Sequence, residues 1–239
     1  MSKIRDLPIT EKPREKAFHY GLKSLSNQEL LSIILRTGTK ESSVLQISQE
    51  LLDTTGGLAG LARFNLQELS SIKGIGRVKA LEILAAMEIS RRIAYEQVVH
   101  HMDMHQPELL VNWLKKEIGS SMQEIFLVVY LDTMMRFVTY KELFKGTIDS
   151  SMVSPREIFK EAILNNSTNI LLVHNHPSGC LTPSKQDLML TKKIVKLAGM
   201  MKVHVLDHII VCNNDFYSFS REGLMEEEME EFYNPEFDS

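Results

Sequence analysis

The sequence predicts an α+β fold, in which a small all-helical N-terminal domain precedes an α/β domain with a mixed sheet. Apolar residues recur at helical spacing through residues 1–93, whereas apolar runs of strand length dominate after residue 108. The chain of 239 residues is long enough for two domains that each bury a core. We therefore expect domains at 1–101 and 102–225, followed by an acidic tail at 226–239.

The composition, with 44% hydrophobic and 24% charged residues, is that of a globular protein. We expect no membrane association and a cytoplasmic location. The sequence has no apolar run of transmembrane length, and MSKIRDLPITEKPREK lacks the apolar core of a signal peptide. Two cysteines, Cys180 and Cys212, are too few for a disulfide framework.

The net charge of -4 is unevenly divided between the two halves of the chain. Residues 1–101 carry 14 Lys and Arg against 11 Asp and Glu, a net of +3. Residues 102–239 carry 13 against 20, a net of -7. This asymmetry indicates that the two domains have different partners.

The N-terminal helices are predicted from apolar spacing and from capping residues. SNQELLSIIL begins with Ser26 as N-cap and Glu29 as its capping-box partner, and Gly38 is expected to end that helix. SVLQISQELLDTT repeats the design and is expected to end at Gly56. NLQELSSIKGIGRVKALEILAAMEISRR follows as a helical stretch interrupted by glycines. The periodicity is then lost, which predicts a linker near 100–107.

The second domain is predicted to begin with a helix, PELLVNWLKKEIG. EIFLVVYLD, at 124–132, is an apolar run typical of a buried strand. RFVTYKELFKG is expected to pair with it as an antiparallel neighbour, with the turn at 132–135. NILLVHNH, KVHVLDHIIVCN and FYSFS predict three further strands. Together these strands predict the mixed sheet.

Two further helices are expected between these strands. Ser154 is predicted as an N-cap, followed by Pro155 at the first helical position and Glu157 as the capping-box residue of IFKEAILNN. The second helix is predicted to begin at Thr182-Pro183 and to run to Gly199. It follows directly on a segment that is rich in metal-binding side chains.

His174 and His176 are two residues apart at the end of a predicted strand, so both imidazoles point to the same face. Ser184 and Asp187 are three apart on the following helix and also share a face. If the helix packs beside the strand end, two nitrogens and one carboxylate oxygen meet. That is the ligand set of a catalytic zinc site with three protein ligands. A His-x-His pair alone can also be a pair of polar turn residues.

HNHPSG at 174–179, followed by Ser184 and Asp187, resembles the JAMM (MPN-type) metalloprotease motif, and its local form is characteristic of the bacterial RadC family. The resemblance extends to ELFKGTIDSS, SPREIFKEAI, DHIIV, SFSREGL and KGIGRVKA, and so covers nearly the whole chain. It implies an MPN-like, cytidine-deaminase-like second domain that binds one Zn²⁺ per chain through His174, His176 and Asp187. It also implies a peptide or protein substrate.

The same resemblance implies catalytic roles for two other residues. Ser184 would stabilise the oxyanion. A glutamate at the start of an early strand would be the general base; by position this is Glu124, with Glu142 on the next strand as the alternative. Cys180 stands where the family typically has an acidic residue, and the turn is expected to direct it away from zinc. His208 either supports the site or is an ordinary core histidine.

SIKGIGRVKAL in the basic half resembles the helix–hairpin–helix DNA-binding motif. Gly74 and Gly76 would let the turn approach a phosphate closely, and the amides of the following helix would bind that phosphate. Lys73, Arg77 and Lys79 would add cationic contacts that carry no sequence information. The alternatives are a simple helical hairpin and a protein-interaction module.

Two functions of different classes follow from these motifs. The first is a zinc-dependent metallohydrolase, a peptidase or isopeptidase, attached to a DNA-binding module. The second is a non-enzymatic, DNA-associated repair or replication factor whose zinc site is structural or vestigial. Glu124 favours the enzyme, since a structural site needs no general base. A two-metal nuclease would need several carboxylates, and only Asp187 is well placed.

Overall fold

The computed structural model describes residue 8 and residues 11–101, 107–146 and 153–225. Contacts divide the chain into two compact units, Met1–Ser90 and Arg91–Ser239. The predicted α+β class is confirmed. The sequence-based boundary at residue 102 stays a prediction. The acidic tail at 226–239 and the linker residues 102–106 lie outside the described residues.

The first unit is helical, as expected from its apolar periodicity. Its core is formed by buried aliphatic side chains such as Leu35, Ile47, Leu51, Leu69 and Ile75. The helices that begin within this unit are α1 (Pro13–Tyr20), α2 (Asn27–Leu35), α3 (Val44–Thr55), α4 (Leu58–Leu61), α5 (Leu66–Ser71) and α6 (Arg77–His101). None of the helices in the described ranges is long and apolar enough for a membrane span.

The caps of the first unit largely follow the sequence signals. Ser26 Oγ accepts the backbone N–H of Glu29 at 3.2 Å, and the Glu29 carboxylate accepts the N–H of Ser26 at 2.7 Å, which completes the predicted capping box. Helix α3 ends at the left-handed Gly56, as predicted. Helix α2 ends at Leu35, before the expected Gly38, because Arg36 leaves helical geometry with φ of 60°.

The described part of the predicted linker is helical instead. Helix α6 continues to His101, so the loss of apolar periodicity after residue 93 does not end the helix there. Ala94 and Val98 are four residues apart and both are buried in an apolar cluster around Trp113. This tertiary packing stabilises the helical turn between the two residues.

The second unit contains a five-stranded mixed sheet in the order β2-β1-β3-β4-β5. Strands β3 and β4 are parallel, and the other neighbouring pairs are antiparallel, including the predicted β1–β2 pair. The elements of the unit that follow α6 are α7 (Pro107–Glu117), β1 (Glu124–Leu131), β2 (Phe137–Gly146), α8 (Pro155–Leu164), β3 (Asn169–Asn175), α9 (Lys185–Met200), β4 (His204–Val211) and β5 (Phe216–Ser218).

Alternation along β1 produces two apolar layers, one on each face of the sheet. Phe126, Val128 and Tyr130 pack with residues of α8 and α9 on one face. Leu127 and Val129 pack with residues of α7 on the other. The sheet is therefore covered by helices on both sides, which explains why β1 reads as a continuous apolar run rather than an alternating one.

One predicted cap is only partly correct. Helix α8 begins at Pro155 with Ser154 as N-cap, but the Ser154 side chain makes no capping hydrogen bond. The backbone carbonyl of Ser154 accepts the N–H of Glu157 at 3.0 Å instead, and the Glu157 carboxylate pairs with Lys160 at 3.8 Å. The expected capping box is therefore absent.

Candidate functional site

The two histidines of the His-x-His pair converge at the end of β3. His174 pairs with Phe126 of β1, so its side chain lies on the face covered by α8 and α9. His176 is two residues further along the chain, and its Nε2 atom lies 3.0 Å from Nε2 of His174. His174 is fully buried and His176 is partly exposed, so the pair lies at the edge of the core.

Asp187 reaches these histidines because a capping box fixes the start of α9. Ser184 Oγ accepts the N–H of Asp187 at 3.1 Å, and the Asp187 carboxylate accepts the N–H of Ser184 at 2.7 Å. The helix therefore begins at Lys185 rather than at the predicted Thr182-Pro183. Oδ1 of Asp187 lies 3.3 Å from His174 Nε2, and Oδ2 lies 3.5 Å from His176 Nε2.

These separations fit a tetrahedral metal ion. Ligand atoms about 2.0–2.1 Å from a tetrahedral zinc are roughly 3.3–3.4 Å apart. The separations between His174, His176 and Asp187 are 3.0, 3.3 and 3.5 Å, the last two measured to different oxygens of the Asp187 carboxylate. Two imidazole nitrogens and a carboxylate are donors that zinc accepts. The residues present thus form a cluster that suits a metal.

Glu124 joins this cluster at the first position of β1. One ligand atom each from Glu124, His174, His176 and Asp187 can be chosen so that all lie within 4.8 Å of one another. The backbone on either side of Glu124 is held by the buried Asn175, whose Oδ1 accepts the N–H of Ile125 at 2.8 Å and whose Nδ2 donates to the Gln123 carbonyl at 3.2 Å.

The two side chains weighed as alternatives lie elsewhere. Glu142 is exposed and pairs across β1–β2 with Leu127, whose side chain packs on the opposite face of the sheet from His174. Cys180 is exposed, and its backbone carbonyl accepts a hydrogen bond from Nδ1 of His176 at 2.7 Å. The role of Glu124 as the general base stays a prediction.

The charges in the cluster shift several pKa values. The contact with Asp187 raises the pKa of His176, although burial opposes this. Burial would raise the pKa of Asp187, but its contacts with His174 and His176 lower it well below its ordinary value. Complete burial lowers the pKa of His208 well below its ordinary value, so this imidazole is neutral at physiological pH.

The predicted DNA-contacting residues lie at the turn between α5 and α6 in the first unit. Gly74 has φ of 86°, and a Cβ there would lie 2.7 Å from the Ile47 side chain, so the fold itself requires this glycine. A Cβ on Gly76 would meet nothing within 4 Å. Packing and backbone geometry therefore explain a glycine at position 74, whereas packing does not explain the glycine at position 76.

The three cations of this turn have different environments. Lys79 Nζ donates to the Thr37 carbonyl at 2.6 Å and to the Gly74 carbonyl at 3.1 Å, so it holds the turn together. Lys73 is exposed and pairs with Glu41 at 2.8 Å. Arg77 is exposed at the first position of α6. Of the three, Arg77 and Lys73 face solvent.

Comparison with known families agrees with this architecture. Residues 104–224 match the RadC-like JAB domain, and residues 4–81 match the UPF0758 N-terminal domain. The chain belongs to the RadC family. The resemblance stated from the HNHPSG segment is thereby confirmed, and the second unit is a JAB-type domain. The predicted DNA contacts in the N-terminal domain stay predictions.

Curated relatives cover nearly the whole RadC-type chain. A UPF0758 protein of Bacillus licheniformis is 42% identical over 223 residues, which are 93% of this chain and 100% of the relative. One from Clostridium botulinum is 42% identical over 224 residues, 93% of this chain and 98% of the relative. The UPF0758 protein YsxA of Bacillus subtilis is 40% identical over 223 residues, with coverages of 93% and 96%.

Two supporting residues of this RadC-family site were missed by the sequence analysis. Asn175 is the middle residue of His-x-His, and a polar residue within an otherwise apolar strand is a signal that it serves a neighbour. Thr191 lies one helical turn after Asp187, and its hydroxyl is 2.6 Å from His208 Nδ1. Its only sequence signal is the i,i+4 spacing from Asp187, which many threonines share with an acidic residue.

Proposed function

We propose that the chain is a zinc-dependent metallohydrolase that cleaves peptide or isopeptide bonds, with one Zn²⁺ per chain. The observation that carries the proposal is the convergence of His174, His176 and Asp187 at 3.0–3.5 Å, with the Glu124 carboxylate beside them. Structural zinc sites usually close with four cysteine or histidine ligands. A site with three protein ligands and the additional carboxylate of Glu124 beside them is more typical of a catalytic zinc site.

Each residue then has a defined task. A zinc ion held by the three ligands would lower the pKa of a water molecule to about 7 and polarise the scissile carbonyl. Glu124 accepts the proton of the attacking water and passes it to the leaving amine. Ser184 Oγ accepts the Asp187 N–H and keeps its own proton, which it can donate to the developing oxyanion for roughly 3 kcal/mol.

The proposal is tested on purified full-length protein by native mass spectrometry together with a digest of a peptide library that includes lysine-branched substrates. We expect about one zinc per chain, cleavage of at least one substrate, loss of cleavage on chelation and its return with added Zn²⁺. Absence of stoichiometric zinc in the wild-type protein would contradict the proposal. Stoichiometric zinc without cleavage of any substrate would favour the non-enzymatic alternative.

For the N-terminal unit we propose contact with the DNA backbone through the α5–α6 turn. The support is that Gly76, Arg77 and Val78 are exposed where α6 begins, and that a Cβ at Gly76 would meet nothing within 4 Å. A phosphate at this helix start would be bound by the first amides of α6. Lys79 contributes indirectly, since its ammonium group holds the turn. Contacts of this kind bind without sequence preference.

Replacing Arg77 with glutamine is expected to weaken binding to duplex DNA of any sequence and to reduce the slope of log K against log salt by about 1. Fluorescence anisotropy over a salt series measures both quantities. Arg63→Gln is the matched control, because Arg63 is also exposed but lies outside the turn. If the wild-type protein shows no salt-dependent DNA binding, the proposal of DNA contact is wrong, and a simple helical hairpin and a protein-contact module are the alternatives.

A further inference from the structure

A chain of buried hydrogen bonds runs away from the metal-ligand cluster. His174 Nδ1 lies 2.8 Å from His208 Nε2 on the neighbouring strand β4. His208 Nδ1 lies 2.6 Å from Thr191 Oγ1 on α9. The Thr191 hydroxyl in turn donates to the backbone carbonyl of Asp187 at 2.6 Å. This hydrogen-bond relay, His174–His208–Thr191–Asp187, therefore begins at one ligand of the cluster and ends on the backbone of another.

The donor and the acceptor of each hydrogen bond follow from the last group, the Asp187 backbone carbonyl. A carbonyl oxygen can only accept, so the single Thr191 hydroxyl proton points to Asp187. Thr191 Oγ1 must then accept a hydrogen bond from His208 Nδ1–H, since two bare acceptors 2.6 Å apart would repel each other. A neutral His208 with its proton on Nδ1 has a bare Nε2, which accepts from Nδ1–H of His174. In a neutral His174 the second nitrogen, Nε2, is then left without a proton.

The surroundings favour this assignment over its reverse. His174, His208 and Thr191 have exposures of 1%, 0% and 4%. The Phe219 ring stacks on His208 with centroids 4.5 Å apart, so a large apolar group lies against the relay. A doubly protonated His208 would reverse the bond to His174, but placing a charge on a ring with no solvent exposure is strongly disfavoured.

We propose that Thr191 and His208 are positioning residues that hold the proton of His174 on Nδ1 and direct its bare Nε2 at the metal-ligand cluster. The inference rests on the proposed metal-dependent function. His176 achieves the same end more simply, because its Nδ1–H donates to the Cys180 carbonyl. The Nδ1 atoms of both imidazoles are thus engaged away from the cluster, which leaves Nε2 of each to face it, and an unprotonated Nε2 is the form in which histidine binds a metal.

The usual partner of a metal-binding histidine is a carboxylate, a backbone carbonyl or water. Here the partner is a second, neutral imidazole, which can hold either tautomer. Its choice of tautomer is set by Thr191, so one hydroxyl group two side chains away favours the tautomer of His174 that binds a metal. Because the Thr191 hydroxyl also bonds to the backbone of Asp187, the relay ties the histidine on β3 to the helix that carries the carboxylate.

Thr191→Val keeps the shape of the side chain and removes the hydroxyl. We expect the Zn²⁺ affinity of this variant, measured by competition with a chromophoric chelator, to fall by about 10- to 100-fold. Thr191→Ser should restore affinity to near that of the wild type. Thr55→Val is the matched control, since Thr55 is also a buried helical threonine whose hydroxyl donates to the carbonyl four residues earlier, at 2.9 Å. This control should bind Zn²⁺ like the wild type.

The tautomers themselves can be read from long-range ¹H–¹⁵N NMR correlations of the histidine rings in the metal-free protein. We expect His174 and His208 to carry their protons on Nδ1 in the wild type and this pattern to change in Thr191→Val. The inference is overturned if Thr191→Val binds Zn²⁺ as tightly as Thr55→Val, or if His174 carries its proton on Nε2 in the wild type. A wild-type protein that binds no zinc would instead remove the proposed function.

Discussion

His174→Ala is expected to lower the affinity for Zn²⁺ by roughly 100-fold or more. In zinc fingers, four protein ligands together supply about 10–16 kcal/mol of apparent zinc-binding free energy, so one ligand contributes about 3 kcal/mol. His174 is also the end of the buried relay, and its loss leaves His208 Nε2 without its partner at 2.8 Å. Isothermal titration with Zn²⁺ and metal analysis of the purified variant measure the effect.

Asp187→Asn separates the charge of the carboxylate from its capping role. The amide oxygen can still accept the N–H of Ser184, so helix α9 should form while zinc binding falls to a similar extent as in His174→Ala. His204→Ala is the control for both variants, because His204 is exposed at the start of β4. Retention of wild-type zinc affinity by His174→Ala or Asp187→Asn would contradict the assigned ligand set.

Local rules predicted which of the site's side chains share a face, but not that the two segments meet. His174 and His176 follow the two-residue period of a strand, and Ser184 with Asp187 is both a capping box and half of the metal motif. Periodicity cannot place the helix beside the strand end, so the meeting of the two segments rested on the family resemblance. The geometry that results, with separations of 3.0–3.5 Å, emerges from tertiary packing.

The parts that the sequence did not predict depend on contacts between distant segments. The turn of α6 around Ala94 and Val98 is helical because these two residues pack with Trp113, a contact that no local pattern encodes. Likewise the buried link from Thr191 to His208 joins a helix to a strand 17 residues later, at 2.6 Å. Local propensity and capping rules describe one segment at a time, and such links lie outside their reach.

Glu124→Gln is expected to leave zinc content unchanged and to reduce kcat about 10²- to 10⁴-fold on a peptide that the wild-type protein cleaves. The amide is nearly the same size as the carboxylate but cannot accept the proton of the attacking water. Glu124 is the candidate because a ligand atom of its carboxylate lies within 4.8 Å of those of the two histidines and Asp187. Steady-state kinetics combined with metal analysis of the same preparation provide the test.

Glu142→Gln is the control that this fold supplies. Glu142 lies opposite Leu127 on the neighbouring strand β2, and it is exposed. Loss of its carboxylate should therefore leave both zinc content and kcat unchanged. If Glu142→Gln loses activity while Glu124→Gln keeps it, the general base has been assigned to the wrong strand. If both variants keep wild-type activity, proton transfer by either glutamate is excluded. Loss of activity confined to Glu124→Gln would separate catalysis from metal binding, because a purely structural zinc site does not need that carboxylate.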